Sequence, residues 1–424
     1  MIYKKSEDLF DTAKKLIPGG VNSPVRYFEP YPLFIKKSQN SYLWDEDGNK
    51  YIDFCNCYGA MLLGHSYKKI MSAVVNQIKH GTLFCTPTKL EVTLSQLIQT
   101  NFPSMKKIRL VNTGTEATMT AIRLVKGYTS NKRIIKCEGC YHGSYDEVLT
   151  GSGSGFANTH KHKRSNNIKN DTIVVQYNNI DELENTLKKN TDIAGLIIEP
   201  ILANMGVIPP AKKYLKQVRK LTHDYNIPLI FDEVVTGFRV SEGGAQKIFG
   251  LVPDLTILGK ILGNGFAIGA VGGKNEILEC LSPLGNVYQA STFAGNPISV
   301  TAAINSIKTI NKLKHKLYSR LNKYCTKLVT AIDDIATDLN IQHQINNVSS
   351  MYQIFFTKIP VTNYQTCKTS DVKKFKKLFV SLFSNGVFIP PSQFESIFIS
   401  YAHTNNDINK TIDAYSNALK IIKN

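Results

Sequence analysis

Three apolar runs in the middle of this 424-residue chain end in residues able to do chemistry. Gly195-Leu-Ile-Ile198 runs into Glu199-Pro200, Pro228-Leu-Ile-Phe231 into Asp232-Glu233, and Leu255-Thr-Ile-Leu258 into Gly259-Lys260. Short apolar runs of this kind read as buried strands. In a doubly wound sheet the ligand crevice lies beyond the carboxyl ends of the strands, so a carboxylate and a lysine are expected to face one crevice. A lysine emerging from a buried strand is desolvated, which lowers its pKa and leaves the amine free to form a Schiff base. An aspartate on a nearby strand end can keep a pyridine nitrogen protonated and make the ring an electron sink. Each residue alone has an ordinary explanation, a salt bridge or a solvated strand end. Their combination carries the inference.

A further element follows the run Ile108 to Val111, where Asn112-Thr-Gly-Thr-Glu116 opens a helical stretch over Ala117 to Lys126. Glycine and small hydroxyl residues at a helix N-terminus offer backbone N–H groups and the positive dipole end to a phosphate, although an ordinary N-cap has the same composition. The glycine-rich stretch Gly263 to Gly273 follows a lysine and lacks dinucleotide-fingerprint spacing, so it reads as tight backbone around Lys260.

The elements that must hold these groups are legible from pattern. Residues 1–59 read as a short helix followed by extended, turn-punctuated chain with a hairpin signal at Asp47-Gly48. Residues 60–313 alternate apolar runs with helical stretches, the signature of a large, mostly parallel sheet wrapped by helices. Residues 314–424 open with a charged amphipathic helix at Lys314, include a strand at Met351 to Phe356 and a final helix near Asn406 to Ile422, and read as a smaller α+β domain. Gly151-Ser-Gly-Ser-Gly155 and the polar stretch to Asn170 form a long loop of the kind that serves as a lid.

Composition narrows the class. A content of 42% hydrophobic and 20% charged residues is that of a globular protein. There is no run of about 18 uncharged apolar residues and no signal-peptide core in Met1 to Leu16, so a cytoplasmic protein without a membrane partner is expected. The eight cysteines are spread along the chain and read as reduced thiols. Cys137-Glu-Gly-Cys140 has metal-like spacing but no second pair, so no metal is expected; Cys55 and Cys57 read as small buried hydrophobes in a strand-like stretch. The net charge of +18 is scattered in short clusters without a recognition motif, and nucleic acid is not an expected partner.

Pro18-Gly-Gly-Val-Asn-Ser-Pro-Val-Arg26, Asn112-Thr-Gly-Thr-Glu-Ala-Thr-Met119, Glu138-Gly-Cys-Tyr-His-Gly143, Asp232-Glu-Val-Val-Thr-Gly-Phe-Arg239, Leu258-Gly-Lys260 and Ala294-Gly-Asn-Pro297 stand in order along nearly the whole chain. Together they resemble the glutamate-1-semialdehyde 2,1-aminomutases, members of the class III aminotransferase-like group of fold-type I pyridoxal phosphate enzymes. The resemblance implies an α/β fold of that type, pyridoxal 5'-phosphate and pyridoxamine 5'-phosphate as cofactor, and a homodimer acting on a small-molecule substrate. The implied reaction moves an amino group within glutamate-1-semialdehyde, by way of 4,5-diaminovalerate, to give 5-aminolevulinate.

The resemblance also implies residue roles. Lys260 would carry the cofactor and shuttle protons, Asp232 would pair with the pyridinium nitrogen, and Tyr141 would stack on the ring beside His142. Gly114 and Thr115 would hold the phosphate, completed by Thr292 from the neighbouring subunit. Glu199 and Asn204 match positions lining the cofactor pocket. Ser23, Arg26, Tyr288 and Glu395 match substrate-side positions, with Glu395 joining Lys260, Asp232 and Tyr141 in the catalytic set, and Ser154 falls in a gating loop of about Ser144 to Asp171. Tyr58 stands where the family usually has tryptophan; Thr113, Ala203 and Asn264-Gly-Phe-Ala267 also depart from the usual residues, and all four bear on pocket shape before reaction type. A two-substrate aminotransferase and a non-catalytic binding protein on the same fold are the alternatives.

Overall fold

The structure is a computed structural model and describes residues 3–153 and 171–423. Its N-terminal part is a helix, Lys4–Leu16, followed by β1 (Ile35–Gln39), β2 (Tyr42–Asp45) and β3 (Lys50–Asp53). The β2–β3 hairpin turns at Asp47-Gly48, with Leu43 opposite Tyr51, and the Asp45 carboxylate accepts the Asn49 N–H at 2.7 Å to close the turn.

The large sheet holds seven strands: β4 (Lys107–Val111), β5 (Arg133–Cys137), β6 (Thr172–Val175), β7 (Ile193–Ile198), β8 (Leu229–Asp232), β9 (Leu255–Leu258) and β10 (Gly269–Gly273). Their spatial order is β4-β10-β9-β8-β7-β5-β6. From β6 to β9 every pairing is parallel, whereas β10 runs antiparallel between β9 and β4. All strands but β10 therefore end at one edge, the edge that carries Asn112, Glu199, Asp232 and Gly259-Lys260.

Strand alternation explains why both faces are covered. Ile197, Ile230, Ile257 and Val271 pack with Ala117, Ala121, Leu124 and Val125 of the helix Gly114–Thr129. Leu196, Ile198, Leu229 and Phe231 face the opposite way, onto Leu183 and Leu187 of the helix Ile180–Lys189 and Leu215 and Val218 of the helix Tyr214–Asp224. Strands with apolar residues on both faces belong in such a three-layer arrangement.

The C-terminal part contains β11 (Gln344–Val348), β12 (Met351–Phe355), β13 (Val387–Phe388), β14 (Ile397–Phe398) and a final helix, Asn405–Lys423. Strands β11, β12 and β14 form a small antiparallel sheet, whereas β13 crosses to the N-terminal sheet and pairs parallel with β3.

One expectation is met at a kink and another needs correction. The span Pro297–Asp338 is helical on both sides of a kink whose non-helical residue is Lys314, the position at which the sequence pattern starts a helix, and Asn296 caps its beginning by accepting the Ser299 N–H at 2.9 Å. The strand-like alternation at Cys55 and Cys57 is not a strand. The Asp53 carboxylate accepts the N–H groups of Cys55 and Asn56 at 2.9 and 3.0 Å, which turns the chain straight after β3, so Cys55 is buried while Cys57 is exposed.

Candidate active site

Lys260 follows β9 through Gly259 and opens a single 3₁₀ turn with a left-handed φ of 43°. It lines a cavity of about 180 Å³ together with Gly114, Thr115, Tyr141, His142, Glu199, Asn204 and Asp232. Burial lowers its amine from the usual lysine value; Glu395, Glu199 and Asp232 pull the other way without cancelling the effect, and Arg239 reinforces it. The strand-end lysine thus holds an amine biased towards the neutral, nucleophilic form.

Asp232 ends β8 on the neighbouring strand. One of its oxygens accepts the Val234 N–H at 3.0 Å and the other meets His142 Nδ1 at 2.7 Å. Burial alone would depress His142, but its hydrogen bonds to Asp232 and Cys140 outweigh that cost and raise the imidazole to about 9. Nδ1–H therefore donates to the Asp232 side chain, and His142 Nε2 has no partner among the described residues. Glu199, just after β7, is engaged by its own loop and by the segment after β5: it accepts from Ala203 N at 2.9 Å and Asn204 Nδ2 at 3.0 Å, and from Tyr141 N at 2.8 Å. Burial raises its carboxyl above the usual carboxylate range. Glu199 is thereby the clamp that orders Tyr141 and Asn204.

The third wall is the start of the helix Gly114–Thr129, where Thr113 caps by accepting the Glu116 N–H at 3.1 Å. Thr115 Oγ1 accepts the Ser144 N–H at 3.3 Å, and Gly143 lies so close that a Cβ there would stand 2.5 Å from Thr115 Oγ1 and 2.8 Å from Thr115 Cα, at φ +95°. Only glycine lets the Tyr141-His142 loop close onto this helix. Free N–H groups at a helix N-terminus, the Asp232 side chain, the buried Lys260 amine and the apolar Val234 and Val235 surround one space.

The remaining expected site residues do not all meet there. Ser23 precedes the turn Pro24–Arg26, and Arg26 lines a second, larger cavity of about 550 Å³ with Cys57 and Tyr58. Glu395 is buried and lines neither cavity, although its charge is felt by Lys260, Tyr141 and Tyr58. Tyr288 and Thr292 are exposed; Thr292 lines a separate groove with residues of the segment Leu83 to Thr88. Ser154 lies outside the described residues, as does most of the expected gating loop. Sequence reasoning missed Thr118, Gly143, Val234 and Val235. The signal for the valines was available, because they are the second and third residues after the strand-end aspartate and leave the sheet at the same edge; Gly143 gave none, since its role depends on contact with a distant helix.

The chain belongs to the class-III aminotransferase family, whose sequence profile matches residues 25–419. A solved ω-transaminase from Sphaerobacter thermophilus superposes with a TM-score of 0.90 at 28% identity, covering 99% of this chain and 98% of that one. Within the family, the protein named glutamate-1-semialdehyde 2,1-aminomutase in Nitrosopumilus maritimus is 61% identical over 98% of this chain and 99% of its own. A protein of the same name in Methanocaldococcus jannaschii is 47% identical over 97% and 96%.

Proposed function

We propose that the protein is a glutamate-1-semialdehyde 2,1-aminomutase that converts its substrate to 5-aminolevulinate through 4,5-diaminovalerate, with pyridoxal or pyridoxamine phosphate as cofactor. The observation that carries the reading is the meeting of Lys260, the Asp232–His142 pair and the N-terminus of the helix Gly114–Thr129 around one cavity, in a chain 61% identical to a relative of that name. These residues fit the cofactor. The helix N-terminus suits a phosphate, Asp232 a protonated ring nitrogen, and Val234 and Val235 a planar apolar ring, while His142 Nε2 is a buried polar atom still lacking a partner among the described residues.

When bound, the cofactor supplies an exchangeable amino group and an electron sink. The chain supplies the rest. Asp232, held by His142 Nδ1 and the Val234 N–H, would pair with a protonated ring nitrogen. Burial leaves Lys260 Nζ able to take a proton from one carbon and return it to another, general acid–base catalysis typically worth about 10²–10⁴-fold. Glu199 holds Tyr141 in place to cover the ring. Arg26, a cation beside the larger cavity, suits the substrate carboxylate, with Ser23 and Glu395 nearby.

Thr292 lies away from the Lys260 cavity of its own chain, which supports its serving the site of a second copy in a homodimer; Tyr288, nearby and 69% exposed, fits the same boundary. No helix among the described residues is long and apolar enough to cross a membrane, and this supports a cytoplasmic location. The test is one assay: purified protein given glutamate-1-semialdehyde, with no amino acid or keto acid added, should form 5-aminolevulinate. Product that forms only after an external amino donor is supplied would make it a two-substrate aminotransferase instead.

A further inference from the structure

Arg239 is fully buried, yet no carboxylate lies within ion-pair distance of it among the described residues. Its Nη2 donates to the Gly59 carbonyl at 2.6 Å, its Nη1 donates to Ser350 Oγ at 3.1 Å, and its guanidinium lies 4.8 Å over the Phe398 ring; Nε has no partner among the described residues. Burial lowers the guanidinium to about 9. A buried cation without a counter-ion is costly, and nothing in the reaction requires Arg239 to touch the cofactor. What it touches is a second unusual feature.

Asn56, Cys57, Tyr58 and Gly59 have φ of 47°, 52°, 55° and 89°, one turn of left-handed helix. L-residues enter this region singly, if at all, and a run of three before a glycine must be held by its surroundings. The holding groups are visible. Asn56 Nδ2 donates to the carbonyls of Asp53 and Phe398 at 3.0 and 2.8 Å. Gly59 rests on the Phe398 ring, which a Cβ at that position would meet at 2.9 Å. Arg239 then grips the Gly59 carbonyl from beneath the same ring. At the far side of the turn the Tyr58 hydroxyl donates to the Val25 carbonyl, within the turn that presents Arg26 to the larger cavity.

We propose that Arg239 is a positioning residue for substrate recognition: through Gly59 it holds the left-handed turn, so that the Tyr58 hydroxyl fixes the Pro24–Arg26 turn against the cavity. The inference rests on the functional reading above and deepens it. Tyr58, which stands where the family usually has tryptophan, becomes a specificity-determining contact of this chain because its hydroxyl reaches the backbone beside Arg26.

The test combines kinetics with amide exchange on the cofactor-loaded protein. Tyr58→Phe removes one oxygen and should raise KM for the semialdehyde roughly tenfold, with kcat and cofactor absorbance unchanged. Arg239→Met should raise KM by a similar factor and Arg239→Lys by less, since a lysine keeps one donor. Because the two residues act in series, the Arg239→Met/Tyr58→Phe double variant should stay near tenfold and not approach a hundredfold. Exchange gives the order of dependence. The N–H groups of Arg26 and Tyr27 bond to Ser23 and Pro24 carbonyls, and that of Met61 to Asn56. Tyr58→Phe should speed exchange at Arg26 and Tyr27 alone, whereas Arg239→Met should speed it there and at Met61. Effects on KM that multiply to about a hundredfold, or exchange at Arg26 and Tyr27 that Arg239→Met leaves unchanged, overturn the inference. Should Arg239→Met fail to fold, Arg239→Lys carries the same comparison. Wild-type turnover without an amino donor tests the function by itself, and the exchange measurements need no turnover, so the two readings fail separately.

Discussion

Gly143→Ala is a sharp test of how the cofactor cavity is built. The new methyl group would stand 2.5 Å from Thr115 Oγ1, which could rotate aside, and 2.8 Å from Thr115 Cα, which is helix backbone and cannot. Alanine at a left-handed φ costs about 1–2 kcal/mol, and overpacking against fixed atoms about 1–3 kcal/mol more. The loop can escape the second cost only by lifting Tyr141 and His142 away from Asp232 and the helix N-terminus. That transfers roughly 1–3 kcal/mol to cofactor binding, a dissociation constant weakened about 5-fold to 150-fold. Gly48→Ala isolates the backbone cost, because Gly48 has a comparable φ of +91° and nothing within 4 Å of the added Cβ; it should lower stability by about 1–2 kcal/mol and leave cofactor affinity alone. Titrating apo protein with pyridoxal phosphate by absorbance, alongside unfolding midpoints for both variants, separates the terms. If Gly143→Ala bound cofactor within threefold of wild type, the close approach at Thr115 would not be what shapes the cavity.

Other outcomes follow from the same geometry. Lys260→Ala should bind cofactor only non-covalently, so that borohydride attaches none of it, and should lose on the order of 10²–10⁴-fold or more in turnover. Asp232→Asn should cost on the order of 10²-fold or more in rate and shift the cofactor spectrum; unchanged values for both would remove Asp232 from the site. Thr292→Ala should weaken cofactor retention by about 10- to 100-fold, the loss of one phosphate hydrogen bond, and sedimentation should find a dimer; a fully loaded, active monomer would contradict the shared site. Burial lowers His403 from 6.5 to about 4. Between those values the unfolded chain binds a proton that the native chain refuses, so stability should fall as pH drops from 6.5 towards 4. Urea midpoints across that range should flatten in His403→Gln.

Much of the site was legible because it sits where the chain's own periodicity changes. Glu199, Asp232 and Lys260 each follow an apolar run, and β7, β8 and β9 lie side by side with those ends aligned. The Asp47-Gly48 hairpin was readable for the same local reason. What could not be read depends on contacts between distant segments. Nothing in Gly269 to Gly273 says that it enters the sheet reversed between β9 and β4. The helix expected to open at Lys314 does begin at a break in the backbone there, although a further helical stretch from Pro297 leads into that break. Arg239 is the plainest case: a charged residue reads as surface, and only the converging Gly59, Ser350 and Phe398 explain its burial.

The pairing of β13 with β3 has a consequence for biosynthesis. Ile52 and Asp53 meet Val387 and Phe388, a partner that emerges from the ribosome more than 330 residues later. At about 5–20 residues per second, the N-terminal hairpin waits roughly 20 to 70 s with one strand edge unpaired, and an open edge is a template for joining another chain. The first sixty residues thus spend most of translation as an unfinished sheet, and the cell's capacity to shield nascent edges governs how much of this protein matures.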